Sequence, residues 1–122
     1  MVEHKKYKQI LSAVKKAINN GYTITAHEYG TESEKLCCPL RALLLSYGDK
    51  SSEDTMKHDQ ITKLIARRLD KSDYWVKMLN WAIDIGDDIY IKFTTKDTNK
   101  FKNVINLGLA IRKELFNNGD NK

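Results

Sequence analysis

The feature that most constrains the fold of this chain is residues 62–79, TKLIARRLDKSDYWVKML. Apolar residues recur at helical spacing on both sides of a short polar break, which predicts two helices joined by a tight turn. Ala66 is small enough to let the second helix cross closely, and Ser72 is placed to cap that helix. Leu69 and Val76 are expected in a core that both helices share. This is the spacing of a helix-turn-helix, whose second helix enters a DNA major groove, and also that of an ordinary helical hairpin.

The whole chain predicts a mainly α fold with four to five helices and a small β-hairpin packed on one side. Helical periodicity is found over residues 4–19, 39–47, 60–69, 72–85 and 97–117. Residues 22–29 are β-branched and aromatic, which predicts a strand, and residues 36–38 are expected to return antiparallel to it. A second short strand is predicted at residues 89–93, where apolar and polar residues alternate. Gly108, on the apolar side of the last helix, predicts a close helix crossing.

Length and composition indicate one globular domain. The chain has 122 residues, of which 41% are hydrophobic and 30% are charged, so it is long enough to bury a single core. The domain is expected over residues 1–118, with a frayed tail at 119–122. Neither a run of about 18 apolar residues nor the apolar segment of a secretory signal is found in the sequence. We therefore expect a cytoplasmic protein without membrane contact.

The positive charge lies at the two ends of the sequence rather than in the helical hairpin. The net charge is +5, with +4 in residues 1–20, +4 in residues 89–122, and zero in residues 61–88. Such an excess attracts nucleic acid or acidic proteins, and it is also common on plain soluble domains.

Four basic residues of the hairpin are the candidates for DNA contact if it is a helix-turn-helix: Lys63, Arg67, Lys71 and Lys77. Two acidic residues argue against that interpretation. Asp70 occupies a turn position where glycine is usual, and Asp73 places a carboxylate near the start of the recognition helix, where it repels phosphate. The sequence therefore favours the ordinary hairpin and keeps DNA binding as the alternative.

Tyr74 and Trp81 project away from the inner side of the second helix, whereas Trp75 lies on that side. Exposed aromatic side chains mark binding patches, because they offer a large apolar area together with a polar group. These two residues are the candidates for contact with a partner protein.

Cys37 and Cys38 are adjacent and are the only cysteines, which predicts two reduced thiols, one or both buried. Cys38 precedes Pro39 at a predicted helix start, where the helix dipole lowers a thiol pKa, and His27 is the candidate base for a thiol nucleophile. This gives a cysteine-dependent enzyme as a further alternative. The cysteines with His27 and His58 lack the ligand spacing of zinc sites, so neither a metal nor a cofactor is expected.

Residues 37–43, CCPLRAL, are followed by Trp75-Val76 and by Gly86-Asp87. This order resembles a group of small uncharacterised bacterial proteins, in which a Cys-Cys-Pro-Leu-Gly-Ala-Leu stretch precedes a Trp-Val helix and a Gly-Phe-Asp-Gly motif. The resemblance spans roughly residues 20–115. It departs at Arg41, where glycine is usual, and before Gly86, where the aromatic residue is missing. It implies that the cysteine–proline segment and the Trp75 helix share one framework, and it carries over no functional residue.

Together these patterns predict a small non-enzymatic binding or regulatory protein that acts through protein–protein contact. The alternatives are a helix-turn-helix DNA-binding regulator and a cysteine-dependent enzyme. The sequence specifies neither the partner nor the oligomeric state.

Overall fold

The computed structural model describes residues 4–26, 34–48 and 58–117. The fold is mainly α with a small β element, which confirms the predicted fold class. The helices are α1 (His4–Asn19), α2 (Pro39–Ser46), α3 (His58–Leu69), α4 (Asp73–Ile85), α5 (Ile89–Lys92), α6 (Thr95–Lys100) and α7 (Lys102–Arg112). A 3₁₀ turn at Gly86–Asp88 precedes α5, a π turn at Lys113–Asn117 follows α7, and the strands are β1 (Thr23–Ile24) and β2 (Leu36–Cys37). No helix within these described ranges is long and apolar enough to cross a membrane.

Two helix pairs form the core. α1 packs against α2, α4 packs against α7, and α3 contacts both α2 and α4. The apolar faces of these helices meet in one continuous cluster, in which Ile10, Leu43, Leu79 and Ile105 are completely buried. Burial of these faces is the main source of stability, because isolated helices of this length are marginal in water.

The turn between α3 and α4 is closed by a Schellman motif. Asp70 adopts the left-handed conformation at φ 58°. The N–H of Lys71 donates to the carbonyl of Ala66, and the N–H of Asp70 donates to that of Arg67. This is the turn position where the sequence analysis noted that glycine is usual, because glycine adopts the left-handed conformation at lower cost than aspartate does.

The predicted helix cap and the predicted shared core of the hairpin are both present in the structure. The Oγ of Ser72 accepts a hydrogen bond from the N–H of Trp75 at 3.1 Å, which satisfies one free donor at the start of α4. Leu69 and Val76 are both buried, as expected. The helical hairpin is therefore confirmed as a structural unit.

The predicted antiparallel hairpin is wrong, because β1 and β2 pair in parallel. Thr23 is opposite Leu36 and Ile24 is opposite Cys37. A parallel pair cannot be joined by a two-residue hairpin turn and needs a longer crossover connection. Residues 27–33, which include His27 and the end of the predicted first strand, lie outside the described residues.

The predicted strand at residues 89–93 is also wrong. This segment forms α5, and the N–H of Phe93 donates to the carbonyl of Ile89 at 3.1 Å. A strand would place Ile89 and Ile91 on one face, whereas Ile89 is completely buried and Ile91 is 85% exposed. Five alternating residues fit a helical turn as well as a strand, so the pattern alone could not decide.

The predicted last helix, residues 97–117, is divided. Thr94 caps α6 by accepting a hydrogen bond from the N–H of Asp97 at 3.1 Å. The helical path is interrupted at Phe101, which has φ −107° and ψ 27°, and α7 then begins at Lys102. The predicted tail at 119–122 lies outside the described residues.

Candidate functional site

The outer side of α4 carries the two aromatic residues that the sequence analysis selected. Tyr74 and Trp81 are seven residues apart, about two helical turns, so they lie on the same side of the helix. The opposite side packs into the core through Val76, Leu79 and Ile83. Tyr74 is 36% exposed, and Trp81 is half-buried.

Two phenylalanines pack against these rings. Tyr74 meets Phe101 edge to face with ring centroids 5.0 Å apart, and Trp81 meets Phe93 in the same way at 6.1 Å. Such pairs contribute roughly 0.5–1.5 kcal/mol each beyond their buried area. The segment from Phe93 to Phe101 is therefore held against α4 at both of its ends.

Lysine side chains lie over three of these four rings. The Nζ of Lys92 is 4.4 Å from the ring centroid of Trp81, that of Lys100 is 5.5 Å from Phe101, and that of Lys77 is 5.9 Å from Tyr74. Each ammonium is attracted to the electron-rich face of its ring and stays in contact with water. We call this surface the aromatic–lysine face; it consists of Tyr74, Lys77, Trp81, Lys92, Phe93, Lys100 and Phe101.

Sequence reasoning selected Tyr74, Lys77 and Trp81 but missed the contribution of Phe93 and Phe101. Phe93 falls in the strand predicted at residues 89–93, and Phe101 falls inside the single helix predicted at residues 97–117. The Thr94 cap, with Asp97 three residues later, was the one signal that a new helix starts there.

The candidate DNA contacts lie on both helices of the hairpin. Lys63 and Arg67 are exposed and four residues apart on α3, so they share one side of that helix, and Lys77 is exposed on α4. Lys71 is half-buried, and its Nζ lies 5.3 Å from the ring centroid of Trp75.

Access to the second helix of the hairpin is restricted. Asp70 and Asp73 are exposed at its N-terminal end, where recognition helices contact base edges. The rings of Phe93 and Phe101 pack on its outer side, which a helix-turn-helix would insert into the groove.

The two thiols are buried and serve the local structure. Cys37 is completely buried, and its thiol donates to the carbonyl of Cys38. Cys38 is the N-cap of α2, and its Sγ accepts a hydrogen bond from the N–H of Arg41 at 3.4 Å. Burial raises the pKa of the Cys38 thiol above its usual range, and the hydrogen bonds from Arg41 and Leu40 and the charge of Arg41 offset only part of that rise. A neutral, enclosed thiol is a poor nucleophile.

We expect both thiols to react slowly in the folded protein. With a thiol reagent at pH 8, modification should be at least about 100-fold slower than in guanidinium, because the reagent must wait for an opening that costs about 3 kcal/mol or more. A thiol that reacts rapidly in the native protein would instead favour the cysteine-dependent enzyme.

The raised pKa of the Cys38 thiol also predicts how the free energy of unfolding depends on pH. The contribution of this thiol to stability is complete below its unfolded pKa, about 8.5, and is lost as the pH rises towards its folded pKa.

Metal-binding clusters and cavities are the remaining candidates for a functional site. No group of three His, Cys, Asp or Glu side chains that could hold a metal is found among the described residues. His27 and the side chain of His58 lie outside that set. A cavity of about 150 Å³ between α1 and α2 has a floor of Ala13, Ala17 and Ala42, and none of the residues selected from the sequence lines it.

Comparison of the chain with family models, with curated proteins and with solved structures gives no match in any of the three.

Proposed function

We propose that this chain is a non-enzymatic binding protein that docks a partner protein on the aromatic–lysine face. The observation that supports this most directly is the pairing of partly exposed rings with lysines along the outer side of α4. Tyrosine and tryptophan in such positions are the residues that most often dominate binding energy at protein interfaces.

The arrangement of the lysines favours a protein over single-stranded nucleic acid. Base stacking needs an open ring face, and the ammonium groups of Lys77, Lys92 and Lys100 lie over such faces. An acidic protein segment can pair with these ammonium groups while they stay in place. The rings then contribute apolar contact from their edges.

The test compares two tyrosines of similar exposure. Tyr74 is 36% exposed beneath Lys77, and Tyr47 is 39% exposed beneath Arg68, whose guanidinium carbon lies 5.2 Å from its ring centroid. Immobilised wild type, Tyr74→Ser and Tyr47→Ser proteins are each incubated with nuclease-treated cell extract, and retained proteins are quantified by mass spectrometry. Each retained protein is then purified, and its affinity is measured by calorimetry.

We expect a partner that wild type and Tyr47→Ser bind alike and that Tyr74→Ser binds at least about 30-fold more weakly, since loss of a central tyrosine costs about 2 kcal/mol or more. Equal weakening by both substitutions would contradict the proposal, as would retention of no protein above a blank support. The DNA alternative is tested separately by fluorescence anisotropy with duplex and single-stranded oligonucleotides over a salt series. Binding that weakens with salt and is lost in Arg67→Gln and Lys77→Gln would favour it.

A further inference from the structure

The most exposed large apolar residue that the structure describes is Ile91, and a second exposed one, Tyr90, precedes it in α5. Ile91 is 85% exposed and Tyr90 is 50% exposed, whereas Ile89 in the same short helix is completely buried. The buried residue anchors the helix to the core, and its two neighbours are held out towards water. An isolated exposed isoleucine is common, but an adjacent, fixed pair gives a small contact patch.

Charges of opposite sign flank this patch. Asp87 and Asp88 precede it, and both are exposed. Asp88 makes no side-chain capping hydrogen bond to α5, so its carboxylate is not used at the helix start. Lys92 and Lys96 follow the patch, and both are also exposed. From Asp87 to Lys92 the helical path rises about 8 Å, so the two signs are separated along the axis.

This order of charges is self-complementary. A twofold axis perpendicular to α5 places two copies of the helix antiparallel. Every contact then occurs twice, because a residue of the first copy that contacts a second residue of its partner is itself contacted in the same way. The carboxylates of each copy then face the lysines of the other, with the two Ile91 side chains meeting near the axis. A foreign partner would have to carry the matching order of charges, whereas a second copy of this chain already has it.

We infer that α5 is a self-association site, through which a second copy of this chain docks antiparallel across Ile91. The contact is small, and interfaces below about 1,200 Å² belong to weak, transient complexes. The association is therefore concentration-dependent. It shares Lys92 with the aromatic–lysine face but depends on Ile91 rather than on Tyr74, so Ile91→Ser and Tyr74→Ser test the two proposals independently.

Sedimentation velocity of the full chain tests this, at low salt and at protein concentrations from about 10 to 500 µM, where small interfaces associate. Wild type should show a sedimentation coefficient that rises with concentration. Ile91→Ser should abolish that rise, and Ile18→Ser, at an isoleucine of α1 that is 51% exposed, should leave it unchanged. Equal behaviour of the two serine variants, or a monomeric wild type over the whole range, would overturn the proposal.

An exchange of charges between the two flanks distinguishes the antiparallel arrangement from nonspecific hydrophobic association. Asp87→Lys/Asp88→Lys makes the flanks of the patch entirely positive, and Lys92→Glu/Lys96→Glu makes them entirely negative. Each double variant should be monomeric alone, and an equimolar mixture of the two should associate at least as strongly as wild type. Circular dichroism first establishes that both are folded. Folded variants that do not associate when mixed rule out the antiparallel pairing.

Discussion

Replacing Gly108 with alanine is expected to destabilise the protein by about 3 kcal/mol and to lower its midpoint of thermal unfolding by about 10 °C. Gly108 lies where α7 crosses α4. A Cβ added there would be 2.5 Å from the Cβ of Ala82 and 3.1 Å from the carbonyl oxygen of Leu79. The second atom belongs to the backbone of α4, so relief requires the two helices to separate. In an exposed helix the same substitution would stabilise by up to about 1 kcal/mol, so the sign of the change is diagnostic.

A double-mutant cycle shows whether the close approach is the cause. Ala82→Gly removes the nearest atom and alone costs about 1 kcal/mol in helix propensity. In the Gly108→Ala background the same change should recover part of the lost stability, because it clears the 2.5 Å contact. The recovery should be incomplete, since the carbonyl of Leu79 remains. The free energy of unfolding is measured by urea denaturation. Additive losses of stability in the double variant, or a Gly108→Ala protein more stable than wild type, would contradict a tight crossing.

The crossing and the α3–α4 hairpin were predictable because their signals are local. Small residues at 66 and 108, a serine before α4 and periodic apolar positions all act within a few residues of the structure they determine. The orientation of the two strands was not predictable, because it depends on the long-range path of the chain between them, which no local pattern specifies. The alternation at residues 89–93 was misleading because a single turn of helix and a short strand share it.

The candidate site was predicted only in the part that lies on one helix. Helical spacing alone places Tyr74 and Trp81 on the outer side of α4. Their partners Phe93 and Phe101 come from a segment that turns back along that side. Its path depends on the chain reversal after α4 and on the break at Phe101. Both are backbone events with weak sequence signals.

The chain reversal after α4 depends on Gly86, and Gly86→Ala is expected to cost about 4 kcal/mol in stability. Gly86 has φ 66° and ψ −136°, a conformation that residues with a Cβ strongly disfavour. An added Cβ would lie 2.8 Å from the Nε of Arg112. Arg112 cannot move away without loss, because its Nη1 donates to the carbonyls of Ile83 at 2.6 Å and Asp84 at 2.9 Å.

Two variants separate the contributions to that cost. Gly48→Ala provides a control for conformational strain, about 1–3 kcal/mol, because Gly48 also has a positive φ, 80°, and no heavy atom of the described residues lies within 4 Å of an added Cβ. Arg112→Ala removes the charge-assisted hydrogen bonds that end α4 and should cost about 2 kcal/mol. In that background Gly86→Ala should cost less than it does in the wild-type background, as measured by urea denaturation, because only the conformational strain remains. If it still cost the full amount, contact with Arg112 would not be the cause.

Gly86→Ala also links the fold to the proposed binding surface. Gly86 directs the chain from α4 into α5, and Phe93 just after α5 packs on Trp81 at 6.1 Å. A shift of the reversal should separate these rings and move Lys92 away from the indole, so tryptophan fluorescence should change in the native state before any unfolding. Gly48→Ala should leave the emission unchanged. A Gly86→Ala protein with wild-type emission and reduced stability would mean that the packing of Phe93 on Trp81 tolerates the altered turn.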